Sequence, residues 1–191
     1  QCVAGGSALC DFMPPDQYDN SKHNNGSSQF SACDIYNCLI SPFTKTEITG
    51  MIFYQGEGNE SSYSVYADNL TDFVGMMREI YGTNMPFYNV QLPSHNTGGS
   101  WPGLAKVRFA QFDALKTIDN YYLVSTMDKG ISGYDTDWAH PTNKKFIGER
   151  LAYIALAEIY DYSNYSLNYY GCPLFTRAKV KDGYAYLYFT N

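Results

Sequence analysis

Short apolar runs of strand length, separated by stretches of helical periodicity, constrain this chain more than any other feature. Gly50-Met51-Ile52-Phe53-Tyr54 is an apolar run opened by glycine and reads as a buried strand. Tyr66, Leu70, Phe73, Met77 and Ile80 then recur at steps of three and four between Ser64 and Tyr81, which sets them on one helical face. Pro86 to Leu92 reads as a second strand, Leu104 to Leu115 as a helix and Tyr121 to Ser125 as a third strand. Pro141 suits the first turn of a further helix, where its missing N–H costs nothing, running to Tyr160 with Ile147, Leu151, Ile154 and Ala155 buried. Strands joined by helices of this length predict an α/β fold with a parallel sheet covered on both faces.

The two ends differ from this middle. The first forty or so residues read as loop, with Pro14-Pro15 and a polar stretch from Asp19 to Ser28. From Gly171 the chain reads as two β-segments around Lys181-Asp182-Gly183, with Tyr184, Tyr186 and Tyr188 on one face of the second. The expected division is a domain over residues 1–165 and a β-rich tail over 166–191, the opening of a further β domain or an appended hairpin.

A formal net charge of −6 without any Lys/Arg cluster repels a phosphate backbone, so nucleic acid is not an expected partner. No apolar run has the length of a membrane span, about 20 residues. The 19 tyrosines are suggestive as a set, since tyrosine stacks on sugar rings and hydrogen-bonds with its hydroxyl; strand and helix positions explain any single one. Of five cysteines none has C-x-x-C spacing, so no metal site is expected, and Cys2/Cys10 and Cys33/Cys38 suit short disulfide loops in an exported protein. Four N-x-S/T triplets, at Asn25, Asn59, Asn69 and Asn164, are glycosylation acceptors only on a eukaryotic secretory route. A secreted or envelope location is the expectation, with the cytoplasm left open.

Reactive groups of a parallel α/β sheet collect beyond the carboxyl ends of its strands. Gln55-Gly56-Glu57-Gly58-Asn59 sits there; an ordinary turn explains the Gly and Asn but does not need both Gln and Glu. Asp137-Trp138-Ala139-His140-Pro141 places His140 at the mouth of the last helix, with Asp137 three residues before it, a spacing that lets a carboxylate fix the imidazole for general-base work. His140 is the strongest base among three histidines: His95 has no acid nearby in sequence, and His23, near Asp19, lies in a polar loop with nothing to fix it. Gly5-Gly6-Ser7 offers main-chain N–H groups that a ligand can approach closely, or is a plain turn.

The order of these blocks resembles the SGNH hydrolase superfamily, and within it the sialate O-acetylesterase-like carbohydrate acetylesterases. Tyr36-Asn37 with Ile40 and Pro42 is similar to the family's YN-x-x-I-x-P segment, and Phe53-Tyr54-Gln55-Gly56-Glu57 with Asn59 to its WYQGE-x-N signature, Phe replacing Trp. Trp101, Arg108 and Gln111 resemble its W…R-x-x-Q helix; Met127-Asp128 precedes the histidine block; Lys144, Gly148, Arg150, Leu151 and Ala152 match the helix after it. The likeness implies a three-layer flavodoxin-like sheet, incomplete at its N-terminus, and an O-acetylated sugar such as sialic acid or xylan as substrate, with no cofactor. It implies His140 as base, Asp137 as its orienter, Gly5 or Gly6 with Gln55 in the oxyanion hole, and Glu57 as a buried partner, Asn59 beside it, shaping the site. The family's nucleophile block, G-Q/D-S-N, has no match here. The expectation is therefore a serine upstream, on an absent segment or a separate polypeptide, and a chain inactive alone. The rival reading is a catalytically silent carbohydrate-binding fragment or subunit, and the His140/Asp137 pair speaks against it.

Overall fold

The computed structural model describes residues 1–23, 26–94, 101–129, 141, 143–162 and 173–190. The chain divides into two compact units, Gln1–Thr142 and Asn143–Asn191. In the first, three strands form a parallel sheet in the order β1 (Met51–Phe53), β2 (Phe87–Val90), β3 (Tyr121–Val124). Helix α1 (Asn20–His23) precedes the sheet, α2 (Tyr63–Tyr81) links β1 to β2, and α3 (Leu104–Asp113) links β2 to β3. Both crossovers advance the same way across the sheet, so the right-handed rule puts α2 and α3 on one face, where they touch.

Helix α2 buries Tyr66, Leu70, Phe73 and Met77 of the stripe that the three-and-four spacing predicts, together with Val74 and Met76, while Ile80 is only half-buried. It stops at Gly82, whose φ of +124° breaks the helix while its N–H returns to the Arg78 carbonyl at 2.9 Å. Phe73 stands at the centre of the core, its ring 4.9 Å from Phe53 and 6.1 Å from Phe87; Phe12 from the N-terminal segment closes on Phe53 at 5.6 Å. At the amino ends of the strands Arg78 donates to the carbonyls of Met85 (3.1 Å) and Asp119 (2.6 Å), tying α2 to the entries of β2 and β3. The tyrosines divide: Tyr66, Tyr88 and Tyr121 are buried core residues rather than surface platforms.

In the second unit, α4 spans Lys145–Glu158, with Ile147 and Ile154 buried. It starts after Pro141, which therefore lies outside the first turn expected for it; the Asn143 side-chain Oδ1 accepts from the Lys145 N–H at 3.1 Å just ahead of the helix. Strands β4 (Leu174–Lys181) and β5 (Tyr184–Thr190) make an antiparallel hairpin. Its turn, Asp182-Gly183, has positive φ at both residues (53° and 78°), the form that suits a two-residue hairpin loop.

Three sequence expectations are corrected. Asn59 and Asn69 are 0% and 1% exposed, so in the folded protein those two triplets are closed to glycosylation. Neither Cys2/Cys10 nor Cys33/Cys38 is joined as a disulfide, and the four are not grouped by sequence proximity: the Cys33 N–H bonds the Cys10 carbonyl at 3.1 Å, the Cys10 thiol meets the Asp11 carboxylate at 3.5 Å, and the Cys2 thiol lies on the Leu39 carbonyl at 3.2 Å. His23 is not loose: it ends α1, is buried, and is held through both ring nitrogens, as described below.

Two predictions follow from this packing. Phe73→Ala empties the centre of the ring cluster and costs about 3–5 kcal/mol in urea unfolding. Burial pushes the Asp72 carboxyl up, but hydrogen bonds from Lys22 and His23 outweigh it and hold the group below the usual aspartate range. A depressed folded pKa gives stability that is complete above the unfolded value, about 3.9, and lost as pH falls through the lower folded value. Asp72→Asn should flatten that acid limb of the unfolding midpoint against pH.

Candidate active site

Past their carboxyl ends parallel strands part, and their main-chain groups need new partners. Here side-chain amides supply them. Gln111, on the buried face of α3, donates from Nε2 to the Gln55 carbonyl (3.0 Å) after β1 and accepts at Oε1 from the Leu92 N–H (3.0 Å) after β2. Thr126, after β3, donates to the Gln91 carbonyl at 2.8 Å. Gln91 donates in turn to the Arg108 carbonyl (3.1 Å) and accepts from Ser125 (3.0 Å). Arg108, one helical step before Gln111, donates to the Pro93 carbonyl at 3.1 Å. The spacing of Arg108 and Gln111 is thus a two-point clamp on the loop leaving β2.

Gln55 and Asn59 carry this frame to the N-terminal segment. The Asn59 Oδ1 accepts from the Leu9 N–H (2.9 Å) and from Gln55 Nε2 (2.9 Å), and Gln55 Nε2 donates also to the Ser7 carbonyl (3.1 Å). These neighbours are acceptors, so the side of Gln55 that faces them must be its NH2. The buried Tyr66 hydroxyl donates to the Gln55 carbonyl at 3.2 Å, and burial pushes that phenol well above its ordinary pKa. Glu60 accepts from the Gly103 N–H at 2.6 Å, a carboxylate at the start of α3.

The glycines between these amides are dictated by close approach. Gly56 has φ +152°, and a Cβ there would sit 3.0 Å from Leu92 and Val107. A Cβ on Gly58 would run into the Ser7 carbonyl and lie 2.8 Å from that of Ser27. The neighbouring turn has Gly6 at φ +70°, its carbonyl accepting from the Gln29 N–H at 2.9 Å. The N–H groups of Gly5 and Gly6 donate to nothing among the described residues, and both glycines are exposed. Glu57 is half-buried at the head of the 57–62 turn; the Tyr54 hydroxyl is pushed up by burial first and by the Glu57 carboxylate second.

The structure therefore brings Gln55, Asn59 and the Gly5-Gly6-Ser7 turn together at the carboxyl edge. His140 and Asp137 lie outside the described residues. His23 is eliminated as a base on geometry: Nδ1 accepts from the Asp19 N–H (3.0 Å) and Nε2 meets the Asp72 carboxylate (3.0 Å), leaving no nitrogen for a substrate. The sequence pattern gives Gln91 and Thr126 no role at the site and Tyr66 only a place on the buried face of its helix. A polar residue at a buried position directly after a strand was the available signal for the first two. Among the described residues no trio of His, Cys, Asp and Glu side chains is arranged for a metal, and no helix is long and apolar enough to cross a membrane.

A family model described as carbohydrate esterase, sialic acid-specific acetylesterase matches residues 1–157. No curated protein matches the chain.

Replacing Gln111 by Leu strands two buried main-chain groups, the Leu92 N–H and the Gln55 carbonyl. At about 1–3 kcal/mol for each, the variant should lose about 2–5 kcal/mol in urea unfolding, where a substitution on an exposed helix face would lose less than about 0.5.

Proposed function

The chain belongs to the carbohydrate esterase family of sialic acid-specific acetylesterases, and from that premise we propose that it serves the hydrolysis of an acetyl ester on a sugar hydroxyl. The hydroxyl of a serine, which the resemblance places ahead of the Gly5-Gly6 turn, attacks the acetyl carbonyl while His140 takes its proton. Asp137 holds the imidazole in the tautomer that can accept. The carbonyl oxygen becomes negative and is met by the N–H groups of Gly5 and Gly6. Collapse expels the sugar oxygen, which takes the proton from His140. Water, activated by His140, then attacks the acetyl-serine, and acetate leaves with the serine restored.

What supports this reading, beside the family, is one observation: the buried Gln55 amide reaches across to the Ser7 carbonyl at 3.1 Å. It fixes the turn that carries two exposed, uncommitted N–H donors at the carboxyl edge of a parallel sheet. With both Nε2 hydrogens bound to Ser7 and Asn59, Gln55 acts on the oxyanion by positioning that turn. Asn59 locks Gln55, and Glu57 shapes the same edge beside Tyr54. O-acetylated sialic acid and acetylated xylan are both compatible substrates. Export of the protein belongs to the same proposal.

The test is hydrolysis of a chromogenic acetate ester by protein that includes the serine-bearing segment. His140→Ala should lower kcat by about 10³–10⁶-fold. Gln55→Ala should cost about 10²–10³-fold, the scale of a disturbed oxyanion hole. No turnover by the complete protein, with sugar binding retained, would instead favour a silent carbohydrate-binding module.

A further inference from the structure

We propose that one face of the β4–β5 hairpin binds an acidic glycan, a chain of sugars that carry carboxylates, through residues to which ester hydrolysis gives no role. The register builds the face. Opposite residues of an antiparallel pair point to the same side, and residues two apart on one strand share it. Arg177 pairs with Tyr188, Lys179 with Tyr186 and Lys181 with Tyr184, so three cations on β4 stand beside three tyrosines on β5. Along the sequence the cations are spaced out by Ala178 and Val180; the pleat gathers them on one side, about 7 Å apart. The register shift between Phe175 and Arg177 keeps the face free of phenylalanine. Thr176 takes up the extra residue, its hydroxyl donating to the Tyr188 carbonyl at 3.0 Å. Phe175 then meets Phe189 on the reverse side, with 6.0 Å between ring centres.

The face is open. Tyr184, Tyr186 and Tyr188 are 70%, 47% and 38% exposed, and the three cations are exposed beside them. The Arg177 guanidinium lies over the Tyr188 ring at 4.3 Å. That contact uses the flat of the group and leaves its in-plane N–H fork for a carboxylate. Lys181 has the turn residue Asp182 at 3.8 Å, while among the described residues Arg177 and Lys179 have no acidic partner. Packing this face on apolar protein would strip water from three charged groups without supplying an anion, at heavy cost. The reverse face, with Val180, Leu187 and Phe189, carries no charge and is the one suited to packing. The cationic face is therefore built for water or for an anion.

The tyrosines select the anion. A tyrosine ring stacks on the apolar side of a sugar while its hydroxyl hydrogen-bonds, and the neighbouring cations meet the carboxylates. An acidic peptide supplies carboxylates without rings for the tyrosines to cover. A nucleic acid, dense in phosphate, is repelled by the formal charge of −6 on the whole chain.

The experiment is calorimetric titration of the full chain with an oligogalacturonide, which carries one carboxylate on each sugar. The expected result is binding that weakens as salt rises. It should be about tenfold weaker in Lys179→Glu. In Tyr186→Leu, which keeps apolar bulk and removes the ring, it should be about two- to tenfold weaker. Lys145→Glu makes the same change of charge on the exposed side of α4 and should stay within about twofold of wild type. No binding by the wild type, unchanged affinity in either hairpin variant, or an equal loss in Lys145→Glu would overturn the assignment. So would equal or tighter binding of the fully methyl-esterified oligogalacturonide, of polyglutamate or of a single-stranded oligonucleotide.

Discussion

The carboxamide of Gln111 is the interaction on which the carboxyl edge of this molecule depends. It fills the gap where β1 and β2 separate, accepting from one departing strand and donating to the other. Such a bond is worth only about 1 kcal/mol net, but the buried groups it satisfies would each cost more if left alone. The N-terminal segment is reached through it: Gln55 carries the Gln111 bond on its carbonyl and the Ser7 and Asn59 bonds on its amide. A fixed main-chain turn is what an oxyanion site requires, because donors aimed in advance need no reorganisation when charge develops.

The two ends of the sheet are built differently. At the amino ends one cation, Arg78, gathers several carbonyls, and below it the rings of Phe12, Phe53, Phe73 and Phe87 form an apolar block. The carboxyl end is buried yet polar, held by amides, hydroxyls and glycines whose missing side chains let main chains meet. Burial of a polar network strengthens each of its bonds and makes any single deletion expensive. The chemistry proposed for the family is placed where the fold has concentrated that risk.

Much of this was legible in the sequence because burial writes itself as periodicity. The α2 stripe, the three strands and the Asp182-Gly183 hairpin all follow from apolar spacing or turn chemistry. The Gln55–Asn59 block was legible as a site through its position after a strand and its surplus of polar groups. What sequence could not supply was pairing across long separations. Asp72 stands 49 residues from His23, and no local pattern announces that it, rather than Asp19, receives the imidazole. The cysteines mislead for the same reason, since proximity along an irregular segment says little about which main chains meet. Pro141 had a plausible helix start, yet α4 opens only at Lys145, behind the Asn143 side chain that accepts from the Lys145 N–H.

The proposed hydrolysis requires the His140 imidazole and the Gln55-supported turn to face one crevice. Crystallographic coordinates covering residues 130–140 in protein soaked with acetate measure this most directly. The expected result is an acetate oxygen within hydrogen-bond reach of the Gly5 and Gly6 N–H groups, the His140 ring on the opposite wall, and Asp137 behind it. A His140 ring on the far side of the sheet from Gln55 would contradict it.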